Sequence, residues 1–322
     1  MHSTRLKGMF VPSRIVKNEF SDHSGKSLLL FGGGVDCHTS FLRHRNEISY
    51  IVNIYGWLKD VNEVNAVDDS DKRTVGEYAA SMATEAVHIR CNFVSQFNLA
   101  SIDKQLCQPI VGTGYWYGFL HPMAFLSIAA PFAWNHGIST LIIASSFTKD
   151  RAYVHCASFI TTDREFNFAT LGHTQHDCFE LNRQDKVRTI VEYQRQTGKP
   201  YKLQACSFND HNCCVCENCF RTITELVAEN ANPQDFGFVD IKGSLKQHWE
   251  RIVNRDVALW GTAKEGYYYS AKRMRENFAN IEDKEFVDWF LNFDFDKAKK
   301  EGLKRYYRQN LLSILKRKLF HK

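Results

Sequence analysis

Two stretches of this 322-residue chain combine residue types that do chemistry with a spacing that lets them act together. The first is Phe31-Gly32-Gly33-Gly34-Val35-Asp36-Cys37, entered from the apolar run Leu28-Leu29-Leu30. Glycine accepts positive φ and lets the backbone approach a ligand. A strand passing through such a turn into a helix can therefore converge its N–H groups on phosphate oxygens. Asp36 adds a carboxylate of the kind that ligates Mg²⁺ beside phosphates. The competing reading is a glycine-rich turn that holds nothing.

The second is Cys206 followed by Asn212-Cys213-Cys214-Val215-Cys216-Glu217-Asn218-Cys219, five cysteines within fourteen residues. Cys206, Cys213, Cys216 and Cys219 can close a tetrahedron around Zn²⁺, with Cys214 pointing elsewhere. The same thiolates would suit an iron–sulfur cluster. A site closed by four protein ligands is structural and supplies folding free energy rather than an open catalytic position. His173 and His176 are further candidates, for proton transfer near neutral pH.

The elements that must position these residues read as alternating strands and helices, the pattern of βαβ units and a parallel sheet. Strands are expected at Leu28 to Phe31, Tyr50 to Ile54, Val87 to Cys91 and Thr140 to Ala144, with helices over Asp71 to Ala86 and Gly118 to His136. Pro122 and Pro131 should break or kink the second helix. Asn182 is the expected N-cap of a helix reaching Gln194, and another helix begins near Phe220. A hairpin over Met9 to Val16 would lead the chain. Beyond Asn232-Pro233 the texture turns to charged and aromatic helices, including Lys284 to Phe293 and Asp296 to Leu319. The expected organisation is a lead over 1–24, an α/β domain over 25–230 and a helical region over 231–322.

Composition narrows the function classes. With 44% hydrophobic and 24% charged residues the chain should fold as a globule. Its longest apolar run, Ala124 to Trp134, is too short to span a bilayer. Met1 to Lys7 lacks the apolar core of a secretory signal, so a reducing, cytoplasmic setting is expected and the ten cysteines should stay unpaired. The net charge of +5 is uneven: Lys297 to Lys322 carries a local balance of +9, leaving a mildly acidic body. That argues against a nucleic-acid face covering the core domain. Tyr307, Leu311, Leu315 and Leu319 recur at helical spacing among those basic residues. They would pack on the body, or meet an acidic partner or membrane surface. Gly25-Lys26-Ser27 precedes its strand and is no Walker motif. Gly112 to Gly118 could stack a planar ring or simply pack.

In its strand–turn–helix setting, Phe31 to Cys37 resembles the Ser-Gly-Gly-x-Asp-Ser loop of the PP-loop ATP pyrophosphatases. Cys206, Cys213, Cys216, Cys219 and Arg221 resemble the zinc motif of the 7-cyano-7-deazaguanine synthases within that superfamily. The two motifs stand in the family's order and cover roughly residues 25–230. Asn212 through Thr222 matches the Asn-Cys-x-x-Cys-x-x-Cys-x-Arg-Thr run of a synthase-like branch. The resemblance implies a doubly wound, mainly parallel α/β fold of the adenine nucleotide α-hydrolase type. It also implies ATP at the carboxyl ends of the strands, with Mg²⁺, and a structural Zn²⁺.

Such enzymes adenylate a carboxylate or amide-like oxygen, release pyrophosphate, and let ammonia or an amine displace AMP. The implied partners are therefore a small molecule with a carboxylate or amide and a nitrogen donor; a homodimer is a further expectation. Gly32, Gly33, Gly34, Asp36 and Cys37 correspond to the nucleotide loop. Lys186 corresponds to the lysine of the family's Asp-Lys-x-x-Ile segment, where a solvated helix lysine is the plain alternative. Arg183, three residues earlier on the same helical face, would complete a two-cation clamp. Gly32 and Cys37 stand where the family has serines. Thr162 to Phe166 is expected to be a surface loop. A sugar amidotransferase, a thiolation or RNA-modifying enzyme, and a nucleotide-binding zinc module without turnover are the other functions this resemblance admits.

Overall fold

Leu28 and Leu29 are adjacent, fully buried and packed in different cores, which tells most of the architecture. In a strand, neighbouring side chains point to opposite faces, so both faces of the sheet are covered. The computed structural model describes residues 13–14, 19–21, 25–56, 68–107, 114–151, 156–169, 171–206, 211–253 and 267–309. Its five strands are β1 (Ser27–Leu30), β2 (Ile48–Tyr55), β3 (Glu85–Arg90), β4 (Thr140–Ala144) and β5 (His173–Asp177). All pair in parallel in the order β3-β2-β1-β4-β5. The direction of winding reverses between β1 and β4. A crevice therefore opens at their carboxyl ends.

Helices α1 (Val35–His44) and α2 (Asp68–Ser81) cover one face, where Phe41, Val75 and Ala79 pack on Leu29, Ile51 and Ile142. Helix α3 (His121–Asn135) covers the other, where Leu126, Ala129 and Ala133 meet Leu28, Val52, Leu141 and Ile143. Each fully buried Leu or Ile contributes about 1.5–3 kcal/mol. Among the described residues the other helices longer than one turn include α4 (Arg183–Thr197), α5 (Glu217–Ala228), α6 (Leu245–Val253), α7 (Tyr268–Asn277), α8 (Lys284–Leu291) and α9 (Phe295–Gln309). Val187 and Ile190 of α4, Phe220 and Ile223 of α5, Trp249, Met274, Phe286 and Phe290 share one core. The C-terminal helices are thus built onto the same helices that carry Lys186 and Cys219.

The helix expected over Asp71 to Ala86 stops at Ser81. Ala83 takes φ +52° and the Thr84 amide bonds the Ala79 carbonyl at 3.0 Å, closing the helix so the chain can re-enter the sheet at Glu85. In the helix expected over Gly118 to His136, a single π-type turn over Trp116–Leu120 leads into α3. Pro122 lies in its first turn, where a missing N–H costs nothing, and the helix continues past Pro131 to Asn135. The leading hairpin falls almost wholly outside the described residues, as do Leu311, Leu315 and Leu319. No helix among the described residues is long and apolar enough to cross a membrane.

Candidate functional site

The glycine turn is shaped by one demanding position. Gly33 has φ +77°, and a Cβ there would stand 3.2 Å from the Gln204 Cβ. Its carbonyl accepts the Gln204 amide at 3.1 Å. Gly34 is the N-cap of α1 and caps no N–H with a side chain, so the first-turn donors of α1 are left for another partner. A Cβ at Gly32 or Gly34 would meet nothing within 4 Å, which leaves their side of the loop open. That side faces a cleft of about 540 Å³ at the crevice, lined by Gly32, Gly34, Asp36, Asn53, Phe125 and Ser146 among others. Cys37 donates its thiol to the Gly34 carbonyl at 3.0 Å, and burial pushes its pKa up to about 12, so it stays protonated.

Behind the loop lies a rigid aromatic base. Phe31 stacks on Tyr78 at 4.9 Å, His38 Nδ1 lies 2.9 Å from Tyr201 Oη, and the Tyr78 and Tyr201 hydroxyls are 2.7 Å apart. Burial lowers the pKa of His38 to about 3, which makes it a neutral partner of the tyrosine.

The residues expected separately as a nucleotide loop and a cationic clamp meet in the structure. Asn182 caps α4 through a reciprocal pair with Asp185, which fixes the first turn and sends Arg183 and Lys186 to one face. Lys186 Nζ lies 2.9 Å from Asp36 Oδ1 and also donates to the Ser145 carbonyl at the end of β4. Arg183 Nη1 lies 3.2 Å from Asp36 Oδ2, while its Nε reaches the buried Glu225 at 3.2 Å. Only 1% of the Lys186 side chain is exposed, so it is not a solvated helix lysine. Burial would raise the Asp36 pKa, but Lys186, Arg183 and Arg221 outweigh it and hold the carboxyl below its ordinary range. Glu225 goes the other way, because its burial exceeds what Arg183 and Arg221 return.

The four expected cysteines also come together. The sulfurs of Cys206, Cys213, Cys216 and Cys219 all lie within 4.8 Å of one another. Cys206 and Cys213 are 3.5 Å apart, Cys213 and Cys219 3.9 Å. A tetrahedron with metal–sulfur bonds of about 2.3 Å has edges of about 3.8 Å, so this cluster can hold a metal ion such as zinc. Cys214 turns away at φ +54° and donates to the Asn212 carbonyl. The knuckle is organised by Asn212, whose Oδ1 accepts the amides of Ala205 and Cys206 and whose Nδ2 donates to Leu203 and Gly237 carbonyls. His248 of α6 reaches the Cys214 carbonyl at 2.8 Å.

No protein-family model matches this chain, and no curated protein sequence matches it. The site itself carries the functional reading.

Thr162, Arg164 and Glu165 are exposed, as expected of a surface loop, but Asp163 is buried. A single helical turn at Ile160–Asp163 folds Asp163 under, and its fully buried carboxylate sits 2.7 Å from His176 Nδ1 on β5. His173, three positions earlier and so on the opposite strand face, is exposed, and its ring meets Thr140 Oγ1 and the Leu171 carbonyl among the described residues. Sequence reasoning gave no part to Glu225 or Ser145, and Thr222 entered only as the last residue of the cysteine run. Glu225 could have been found as an acid on the buried face of an amphipathic helix; Ser145 acts through its main chain and leaves no signal in residue type.

Proposed function

We propose that this chain is an ATP-dependent ligase of the PP-loop pyrophosphatase kind, which adenylates a carboxylate or amide-like oxygen and lets ammonia or an amine displace AMP. The observation that carries this reading is the convergence of Asp36, Lys186 and Arg183 beside an open glycine turn at the β1/β4 crevice. Backbone donors of the turn and the start of α1 would take charge developing on the departing pyrophosphate. Asp36 would hold Mg²⁺ as the polyphosphate draws Lys186 and Arg183 toward its own charge. Cys206, Cys213, Cys216 and Cys219 would hold a structural Zn²⁺ that fixes α5 and, through Thr222 and Glu225, the orientation of Arg183. Incubation with ATP, Mg²⁺, ammonium and a panel of carboxylic acids should release AMP and pyrophosphate in equal amounts. ADP and phosphate in their place would end this assignment.

One observation favours a second reading. Asp36 is held by two cations at once, and Gly32 and Cys37 supply neither of the family's loop hydroxyls. A nucleotide-binding module without turnover fits those facts. Calorimetric ATP binding with no pyrophosphate released from any acid would establish it.

A further inference from the structure

A second cluster of reactive groups lies at the same edge of the sheet. Helix α3 begins at the carboxyl edge, and Phe125 of its second turn lines the cleft. His121 lies one turn earlier on the same helical face. Its Nδ1 is 3.2 Å from the Trp116 carbonyl, which can only accept, so the proton is on Nδ1 and the Nε2 lone pair is free. Nε2 points at Cys156 Sγ, 3.8 Å away. The Cys156 segment is pinned to the start of α3 by the Ala157 amide on the Tyr117 carbonyl at 2.8 Å. Both side chains are partly exposed, and the Tyr117 ring, 65% exposed, stands 6.0 Å from His121 as an open platform.

The buried Asp163 stands behind the pair. Ser158 Oγ and His176 Nδ1 hold its Oδ2, while its Oδ1 and the His176 Nε2 are buried with no hydrogen-bond partner among the described residues. Its charge acts on both His121 and Cys156. At rest the pair is neutral, since burial holds the imidazole below its ordinary value and pushes the thiol above its own. An imidazolium formed during attack would be stabilised by Asp163.

We propose that Cys156 and His121 are a nucleophile–base pair that takes the acyl group of the adenylated substrate and delivers it to the amine. This rests on the adenylation reading above. The Cys156 proton passes to His121 Nε2 as the carbon–sulfur bond forms, and the carbon–oxygen bond to AMP breaks. The amine then attacks the thioester, the carbon–sulfur bond breaks, and the thiolate recovers its proton from His121 while the amine sheds its own to water. Asp163 is a positioning residue.

The test separates the pair from the ATP chemistry. The full-length protein treated with p-nitrophenyl acetate should be acetylated at Cys156 ahead of Cys91, mapped by peptide mass. His121→Gln should slow that acetylation about 100-fold, and Cys156→Ser should remove it. Cys156 no faster than Cys91 in the unmodified protein, whether or not either variant folds, overturns the proposal. Acid-quenched single turnovers with ATP, Mg²⁺ and acid should then show an acyl adduct on Cys156. AMP and pyrophosphate formed by Cys156→Ser at the full rate, with no adduct in the parent, overturns the acyl role and leaves adenylation standing. Rapid His121-dependent acetylation without any AMP upholds the pair and removes the adenylation reading.

Discussion

Lys186 and Asp36 are 150 residues apart in sequence and 2.9 Å apart in space, the first fully buried and the second partly open to the cleft. The lysine ties the carboxylate of the glycine turn to the end of β4 through the Ser145 carbonyl. It joins the two strands between which the crevice opens.

Removing one partner should therefore cost more than removing both. Lys186→Met leaves Asp36 with Arg183 alone and an unsatisfied Ser145 carbonyl, at an expected loss of about 3 kcal/mol in urea unfolding. Adding Asp36→Asn should recover about 1–3 kcal/mol of that, the coupling expected of contacting charges. Pyrophosphate release should stay absent in both. A double variant no more stable than the single would show that the pair is not coupled.

Acid should weaken the protein in two windows. His38 has a pKa lowered from 6.5 to about 3 by burial, so below pH 6.5 the unfolded chain binds a proton that the folded one refuses. Stability should fall with pH from 6.5 down to about 3, by up to about 1.4 kcal/mol per unit. Asp36 lies below its ordinary 3.8, so its contribution is complete above that value and is lost as pH falls through the lower folded value. His38→Gln should make the first window shallower, because His88, His121 and His248 are also lowered by burial, and should leave the second, read from unfolding midpoints at a series of pH values.

Metal content distinguishes the four ligands from their neighbour. The purified chain should carry one zinc, lost with Cys213→Ser or Cys219→Ser and kept with Cys214→Ser. Asn212→Ala, which strips the knuckle of its organising amide, should weaken retention roughly 10–100-fold in a chelator competition. Iron with visible absorbance in place of zinc would reassign the cluster.

The three glycines should not tolerate change alike. Gly33→Ala forces a side chain to φ +77° against Gln204 and should cost about 1–2 kcal/mol. Gly32→Ser enters open space and should alter stability by no more than about 0.5 kcal/mol. A hydroxyl there should bind ATP about fivefold tighter by calorimetry. Unchanged affinity would place the phosphates elsewhere.

What was legible in the sequence was what is local. The glycine turn, the Asn182 cap and the cysteine spacing each lie within a few consecutive residues, so backbone preference and ligand geometry reveal them directly. The Asp163–His176 pair was not foreseen, because it depends on where β5 sits beside β4, with Ala144 opposite Asp177. No property of a Thr-Asp-Arg-Glu run says that one turn will tuck its second residue under a sheet. Lys186 was reached through family likeness, whereas the pairing of Glu225 with Arg183 shows itself only once α4 and α5 pack.

Gln204 gives the chain a sense of completion. Its amide holds the Gly33 carbonyl and its side-chain amide donates to the Cys206 carbonyl, both at 3.1 Å. The glycine turn is made early in synthesis, yet the residue that sets it arrives some 170 positions later, two before Cys206. A nascent chain released before Tyr201 would own every glycine of the turn and lack its anchor. Competence at the first motif to leave the ribosome therefore waits on the last.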